Sequence, residues 1–248
     1  MKRIFWFLVV GLILGSLVLA GCGQKTTKIR VATDATWPPF ESVNEKTKQI
    51  EGFDIDLFKA IADRQNLEVE FINVGFDPLL AGIAQGQYDA AISSITITED
   101  RKKEMLFSEQ YFAAGQIVTV RYDNTDIKSK DDLGGKRVGA QIGTTGAIEV
   151  QKIKGATLKT YDDIGLAYQD LMNRQIDAVV ADNPLALLYI GQNPTKLKTA
   201  GGVFTDEFYG IAVPKSKADL LTKINAGLQA VKTEGLIEQL SKKWLKSQ

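Results

Sequence analysis

The chain has 248 residues, in which 30 Lys and Arg balance 30 Asp and Glu, with 44% hydrophobic and 24% charged side chains. That composition is ordinary for a globular protein, and the balanced charge excludes the positive field of a nucleic-acid-binding surface, so no nucleic acid is expected among its partners. The sequence contains no histidine, which excludes Ser-His-Asp and Cys-His catalysis and histidine-held metals; no cofactor and no metal are expected.

Lys2 and Arg3 precede an apolar run over residues 4–20 and then Gly21-Cys22. A basic start, an apolar run and small residues at its end make a secretory signal. The run is short for a spanning helix, which needs about 20 residues, and Gly11, Gly15 and Ser16 weaken it further; an uncleaved membrane anchor is the alternative. The segment LAGC resembles the bacterial lipobox, whose cysteine is lipidated and becomes the new N-terminus. Cys22 is also the only cysteine, and lipidation explains a lone cysteine in an exported chain. Acylation by two or three chains gives a stable membrane anchor. The expected order is a signal over 1–21, then lipidated Cys22 and a small, polar tether to Lys28. Cleavage removes Lys2 and Arg3 and leaves the mature chain slightly acidic.

Residues 29–32 form a β-rich run that breaks over 34–39, where two prolines follow Trp37. The spacing of Phe53, Ile55, Leu57, Phe58, Ile61 and Ala62 predicts a helix over 52–66. Residues 68–74 read as a strand, and Asp77-Pro78 as the cap and first turn of a helix over 77–87. A strand over 88–98 follows, and then a helix with Arg101 in its first turn. Residues 136–150 read as a strand, a Gly/Thr turn and a helix; 164–175 as a helix; 176–182 as a strand that meets a new helix at Asn183-Pro184. A last strand over 209–215 precedes two amphipathic helices. This alternation is that of an α/β fold with mostly parallel sheet.

Two stretches, GQYDAAISSITIT and RQIDAVVADNPLA, share a helix end, an Asp-Ala pair, a hydrophobic strand and a polar strand terminus. Two such units imply two lobes. Ligands of open α/β sheets sit outside the carboxyl ends of the strands, where Ser93, Ser94, Thr96 and Asp182 fall, so facing strand ends describe a cleft.

A cation in the first turn of a helix faces the positive end of its dipole, so Arg101 is misplaced unless it serves an anion. Ser93, Ser94 and Thr96 precede it at a strand-to-helix junction rich in free N–H groups, a setting that suits a carboxylate held bidentately; an ion pair with Asp100 or Glu104 is the plain alternative. The turn GTTGA over 143–147 is a second source of N–H groups, although it also reads as an ordinary turn. Asp182 either caps the helix at Asn183 or, facing Arg101, pairs with an ammonium group. Arginine for a carboxylate and aspartate for an ammonium together describe an α-amino acid. Trp37 and Phe76 are either core aromatics or two faces that sandwich a flat or cationic side chain, with Asp34 as an acceptor at its far end.

Those residues in that order resemble the extracytoplasmic solute-binding proteins of polar amino acid ABC transporters, family 3, which include arginine, lysine, histidine and glutamine binders. The segments ATDATWPPFE, GFDIDL, SSITITEDR, GTTG, DNP and YGIAVPK carry the resemblance over nearly all of the mature chain. It implies a periplasmic-binding-protein fold of type II: α/β, with two lobes joined by a two-strand hinge and the cleft between them. The first lobe is expected over 29–110 with a C-terminal return over 209–248, the second over 111–208, and the crossovers near 111–115 and 205–209. The resemblance implies that Arg101 grips the ligand carboxylate with N–H groups of Thr96 and Thr145. Asp182 takes the ammonium with the Thr96 hydroxyl and the Ser94 carbonyl. Asp34 reads the side chain between Trp37 and Phe76, and Ser93 and Gln141 line the pocket.

Glutamine binders of this group often carry a lysine where this chain has Gln141. A neutral residue there tolerates a cationic ligand, so arginine or a related basic amino acid is favoured and glutamine is the runner-up. Some relatives carry paired cysteines; this chain has no pair. The expected partners are an L-amino acid, an ABC permease that recognises the ligand-closed form of a monomer, and a membrane reached through the Cys22 lipid. A dehydratase-like enzyme is disfavoured because the cleft shows no further acidic residue with a clear role. A sensory domain is disfavoured because no transmembrane helix and signalling module follow.

Overall fold

The computed structural model describes residues 28–245; the signal run, Cys22 and the tether through Thr27 lie outside the described residues. Among these, no helix is long and apolar enough to cross a membrane. The chain starts with β1 (Ile29–Thr33), then β2 (Thr36–Trp37), β3 (Glu41–Val43) and β4 (Ile50–Glu51), which form a small antiparallel sheet. Helix α1 (Phe53–Arg64) follows, then β5 (Val69–Asn73), α2 (Phe76–Ala84), β6 (Ala90–Ala91), the short α3 (Glu99–Glu104), β7 (Met105–Phe107) and β8 (Phe112–Ala114). The second half runs β9 (Gln116–Arg121), β10 (Arg137–Gln141), α4 (Thr145–Gln151), β11 (Thr157–Tyr161), α5 (Ile164–Met172), β12 (Ala178–Asp182), α6 (Asn183–Gln192) and β13 (Leu197–Ala200). It closes with β14 (Glu207–Tyr209), β15 (Ala212–Pro214), α7 (Ala218–Thr233) and α8 (Leu236–Trp244).

Two five-stranded sheets form two lobes, ordered β5-β1-β6-β15-β7 and β11-β10-β12-β9-β13. In each, three parallel strands are joined by one antiparallel strand, β15 in the first sheet and β9 in the second, and an outer strand, β7 or β13, pairs antiparallel with it and so runs with the first three. The sheets are therefore mixed, because β9 and β15 are the strands that have just crossed from the other lobe and enter from its side. Between the lobes β8 pairs antiparallel with β14, Ala114 against Glu207 and Phe112 against Tyr209. Gly115, directly after β8, comes so close to the other crossover that a Cβ there would lie 2.3 Å from the Thr205 carbonyl oxygen.

Helix α1 buries Phe53, Leu57, Phe58 and Ile61, the 3–4 residue spacing of one apolar face, against α7 and α8. Gly52 before it has φ 143, and a Cβ would meet the Phe40 carbonyl oxygen at 2.0 Å, so only glycine fits. The apolar run of β12 is buried throughout because helices cover both faces of the second sheet.

Three expected elements differ. The strand over 88–98 shrinks to Ala90–Ala91: Ser94 turns left-handed at φ 47, and its N–H goes to the buried Asp54 carboxylate at 2.7 Å instead of to a neighbouring strand. The helix expected from Asp77 begins at Phe76, with Gly75 as cap and no side-chain cap bond. The strand over 209–215 divides at Gly210, where a Cβ would meet the Ile97 side chain at 2.8 Å, giving one strand to the crossover and one to the first sheet.

Candidate functional site

The carboxyl ends of both parallel strand sets converge on one small pocket. Asp34 follows β1, Trp37 ends β2, Phe76 opens α2, Ser93, Ser94 and Thr96 follow β6, and Arg101 lies in α3. The second lobe supplies Thr145 at the start of α4 and Asp182 at the end of β12. All nine line the pocket, with Glu41 and Thr144. Gln141, at the end of β10, reaches the site from behind: its Nε2 donates to Asp34 Oδ2 at 2.7 Å.

Arg101 is held at the start of α3, where the Thr98 hydroxyl caps the helix by accepting from the Arg101 N–H. Its guanidinium donates to the Thr96 carbonyl at 2.7 Å and to the Gly143 carbonyl at 2.9 Å, and stands over the Phe76 ring at 5.4 Å. Burial pushes it down to about 10, against the charges of Asp182 and Glu207, so it stays cationic at neutral pH. The plain alternative of a pair with Asp100 or Glu104 is not what forms; Asp100 pairs with Lys103.

Asp182 makes no cap bond to α6. Its two oxygens accept from Gln116 Nε2 and from the Tyr209 hydroxyl. Burial, and next the charge of Glu207, push its carboxyl up to about 7, while Tyr209, Gln116 and Arg101 act in the other direction. Asp34 is also raised by burial, opposed by the bonds from Thr36 and Gln141. Trp37 is less exposed than its place beside two prolines suggests, at 7%, because α5 of the second lobe lies over β2.

The expectation that the cleft holds no further acidic residue is corrected. Glu207, from β14, accepts at Oε2 from the Thr96 hydroxyl at 2.8 Å and the Thr145 hydroxyl at 2.7 Å, and at Oε1 from Thr205 at 2.8 Å. Glu41, fully buried in β3, accepts from the Ser93 hydroxyl at 2.9 Å, and Ser93 in turn accepts from the Asp34 N–H at 3.0 Å. Burial and the neighbouring Asp54 push Glu41 well above the usual carboxylate range. Gln116 and Tyr209 were also missed. The signals for Glu41 and Glu207 are slight: Glu41 is a single carboxylate after Phe40, and Glu207 follows Asp206 and precedes Phe208-Tyr209. Among the described residues no group of three or more Cys, Asp and Glu is arranged to hold a metal ion.

The model for bacterial extracellular solute-binding proteins, family 3, matches residues 29–247. The chain is 35% identical to ABC transporter arginine-binding protein 1 of Escherichia coli (strain K12), covering 96% of this chain and 98% of that one. It is 32% identical to the ABC transporter glutamine-binding protein GlnH of Bacillus subtilis (strain 168), covering 99% and 98%. Among solved structures, an ancestral arginine-binding protein bound to arginine is 43% identical, with a TM-score of 0.84 over 88% of this chain and 97% of that one. The chain belongs to family 3 of the bacterial extracellular solute-binding proteins.

Proposed function

We propose that this family 3 protein captures a basic amino acid, L-arginine foremost, outside the cytoplasmic membrane and delivers it to an ABC permease. The observation that carries the reading is the pair of acids in the pocket wall, Asp34 and Asp182, opposite the one cation Arg101. A buried charge needs a partner, and an amino acid with a cationic side chain brings two positive groups and one negative. Arg101 takes the carboxylate with N–H groups of Thr96 and Thr145. Asp182, with the Thr96 hydroxyl and the Ser94 carbonyl, takes the ammonium. Asp34 meets the side chain between Trp37 and Phe76, with Ser93 and Gln141 behind it.

Binding closes a hinge between a first lobe over 29–110 and 209–248 and a second over 111–208. The charged partners come from opposite lobes, Arg101 from the first and Asp182 from the second, so the ligand stabilises the closed state. The Cys22 lipid anchors the exported monomer, and the protein is a binder without turnover of its own; a turnover assay checks that last point. Glutamine is the second reading: Asp34 accepts an amide N–H from Gln141, and a glutamine side chain offers the same donor. Calorimetry on residues 23–248, stripped of bound ligand, against the twenty amino acids and ornithine decides. Tight arginine binding with weak glutamine binding supports the basic reading, and glutamine binding more tightly than arginine rejects it.

A further inference from the structure

Glu207 stands in the crossover, yet its Oε2 receives the Thr96 hydroxyl from one lobe at 2.8 Å and the Thr145 hydroxyl from the other at 2.7 Å. The two hydroxyl oxygens lie 3.5 Å apart. A hydroxyl has one proton and two lone pairs, and a carboxylate only accepts. Both threonine protons are therefore committed to Glu207, and what each oxygen has left is acceptor capacity. One lone pair of Thr145 is used by Gln116 Nε2 at 3.1 Å; Gln116 also donates to Asp182. The rest faces the pocket beside the Asp182 carboxylate, since Thr96, Thr145 and Asp182 all line it.

We propose that Glu207 is a positioning residue of the ammonium subsite: by holding the hydroxyl protons of Thr96 and Thr145, it turns both oxygens into acceptors for a cationic N–H donor. A neutral hydroxyl pair free to rotate would serve a carboxylate as readily; one fixed by Glu207 serves an ammonium. The same carboxylate oxygen meets both threonines only when the lobes are together, so the subsite is completed at closure. This rests on the reading that the ligand is an α-amino acid and extends it to a residue that lies outside the pocket wall.

The test is calorimetry on the full chain in detergent, titrated with L-arginine and with 5-guanidinopentanoic acid, which lacks only the ammonium. Glu207→Gln presents an amide N–H to the threonines and turns at least one hydroxyl round. The expected result is at least about a tenfold loss for arginine, with the desamino analogue changed less than about twofold. Equal losses for both ligands would mean a purely structural hinge residue and overturn the proposal, as would no loss for arginine. Thr96→Val removes one of the two acceptors without touching the carboxylate. It should show the same selective loss, and adding Glu207→Gln to it should cost less than in the wild type; full additivity counts against the proposal. If wild-type protein prefers glutamine, the ligand reading fails, and the same comparison with glutamine and its desamino analogue still decides the role of Glu207.

Discussion

Arg101 on the first lobe donates through Nη2 to the carbonyl oxygen of Gly143 on the second, at 2.9 Å. The cation that stands at the wrong end of its own helix is thus a strut across the cleft, and the Asp182 and Glu207 carboxylates favour its charge against burial. Its place in α3 is set by what lies opposite rather than by the helix it belongs to.

Replacing Arg101 by alanine should weaken ligand binding at least a hundredfold, because stranding a buried charge costs about 3–5 kcal/mol. Arg101→Lys keeps the charge but loses the planar fork and should recover only part of the affinity. Calorimetry with the preferred amino acid reads both; affinity within a few-fold of wild type in Arg101→Ala would remove Arg101 from the site.

Asp34→Asn tests which end of the ligand Asp34 reads. If it faces a guanidinium, arginine should lose about 1.5–3 kcal/mol of a charge-assisted bond, about ten- to a hundredfold in Kd, while glutamine binding changes little. A parallel loss for both ligands would place Asp34 in the scaffold of the pocket, where it already accepts from Thr36 and Gln141.

The pH dependence follows from Asp182. Its carboxyl rises from 3.8 to about 7 on burial, so between those values the folded protein holds a proton that the unfolded chain has released. Its contribution to ligand-free stability is full below pH 3.8 and is lost as pH rises towards about 7. Asp54, raised to about 7 by its own burial, adds to the same fall. An ammonium ligand favours charged Asp182, so binding should release a proton near about pH 6 and tighten as pH climbs to about 8. Titrations in buffers of different ionisation enthalpy measure that proton directly. Affinity flat over this range, with no proton released, would mean that Asp182 does not meet the ammonium.

Gly115→Ala tests the crossovers. The new methyl would sit 2.3 Å from the Thr205 carbonyl oxygen and 2.5 Å from a Val203 methyl, at and just before the opposite crossover. Overpacking of this kind costs about 1–3 kcal/mol, and each kcal/mol lowers Tm by about 2–4 °C in a chain this size. Thermal unfolding should show that drop, and ligand affinity should fall with it if closure needs the two strands this close. An unchanged Tm would show that the crossovers separate without cost.

Local pattern carried much of the fold. The apolar spacing of α1, the buried β12 and the cap at Thr98 are decided within a few residues, by periodicity and by a side chain that bonds its own backbone. What failed locally was the strand over 88–98, whose hydrophobic alternation is genuine but whose Ser94 N–H is claimed by Asp54, 40 residues earlier in the chain. A buried carboxylate outbids a strand partner there, and no window of neighbouring residues contains that information.

By itself, the sequence determined the two-lobe α/β architecture, the ends of the strands at which the pocket lies, and a set of polar and aromatic residues that line it. These follow from alternation of elements and from residue types, which are properties of short segments. Only the tertiary structure decided that Glu207 binds a threonine from each lobe, that Glu41 stands behind Ser93, and that Arg101 spans to Gly143. Such contacts join residues separated by 42 to 111 positions. Their energies come from desolvation and hydrogen bonding between groups that meet only once both sheets are built and the crossovers have set the lobes face to face.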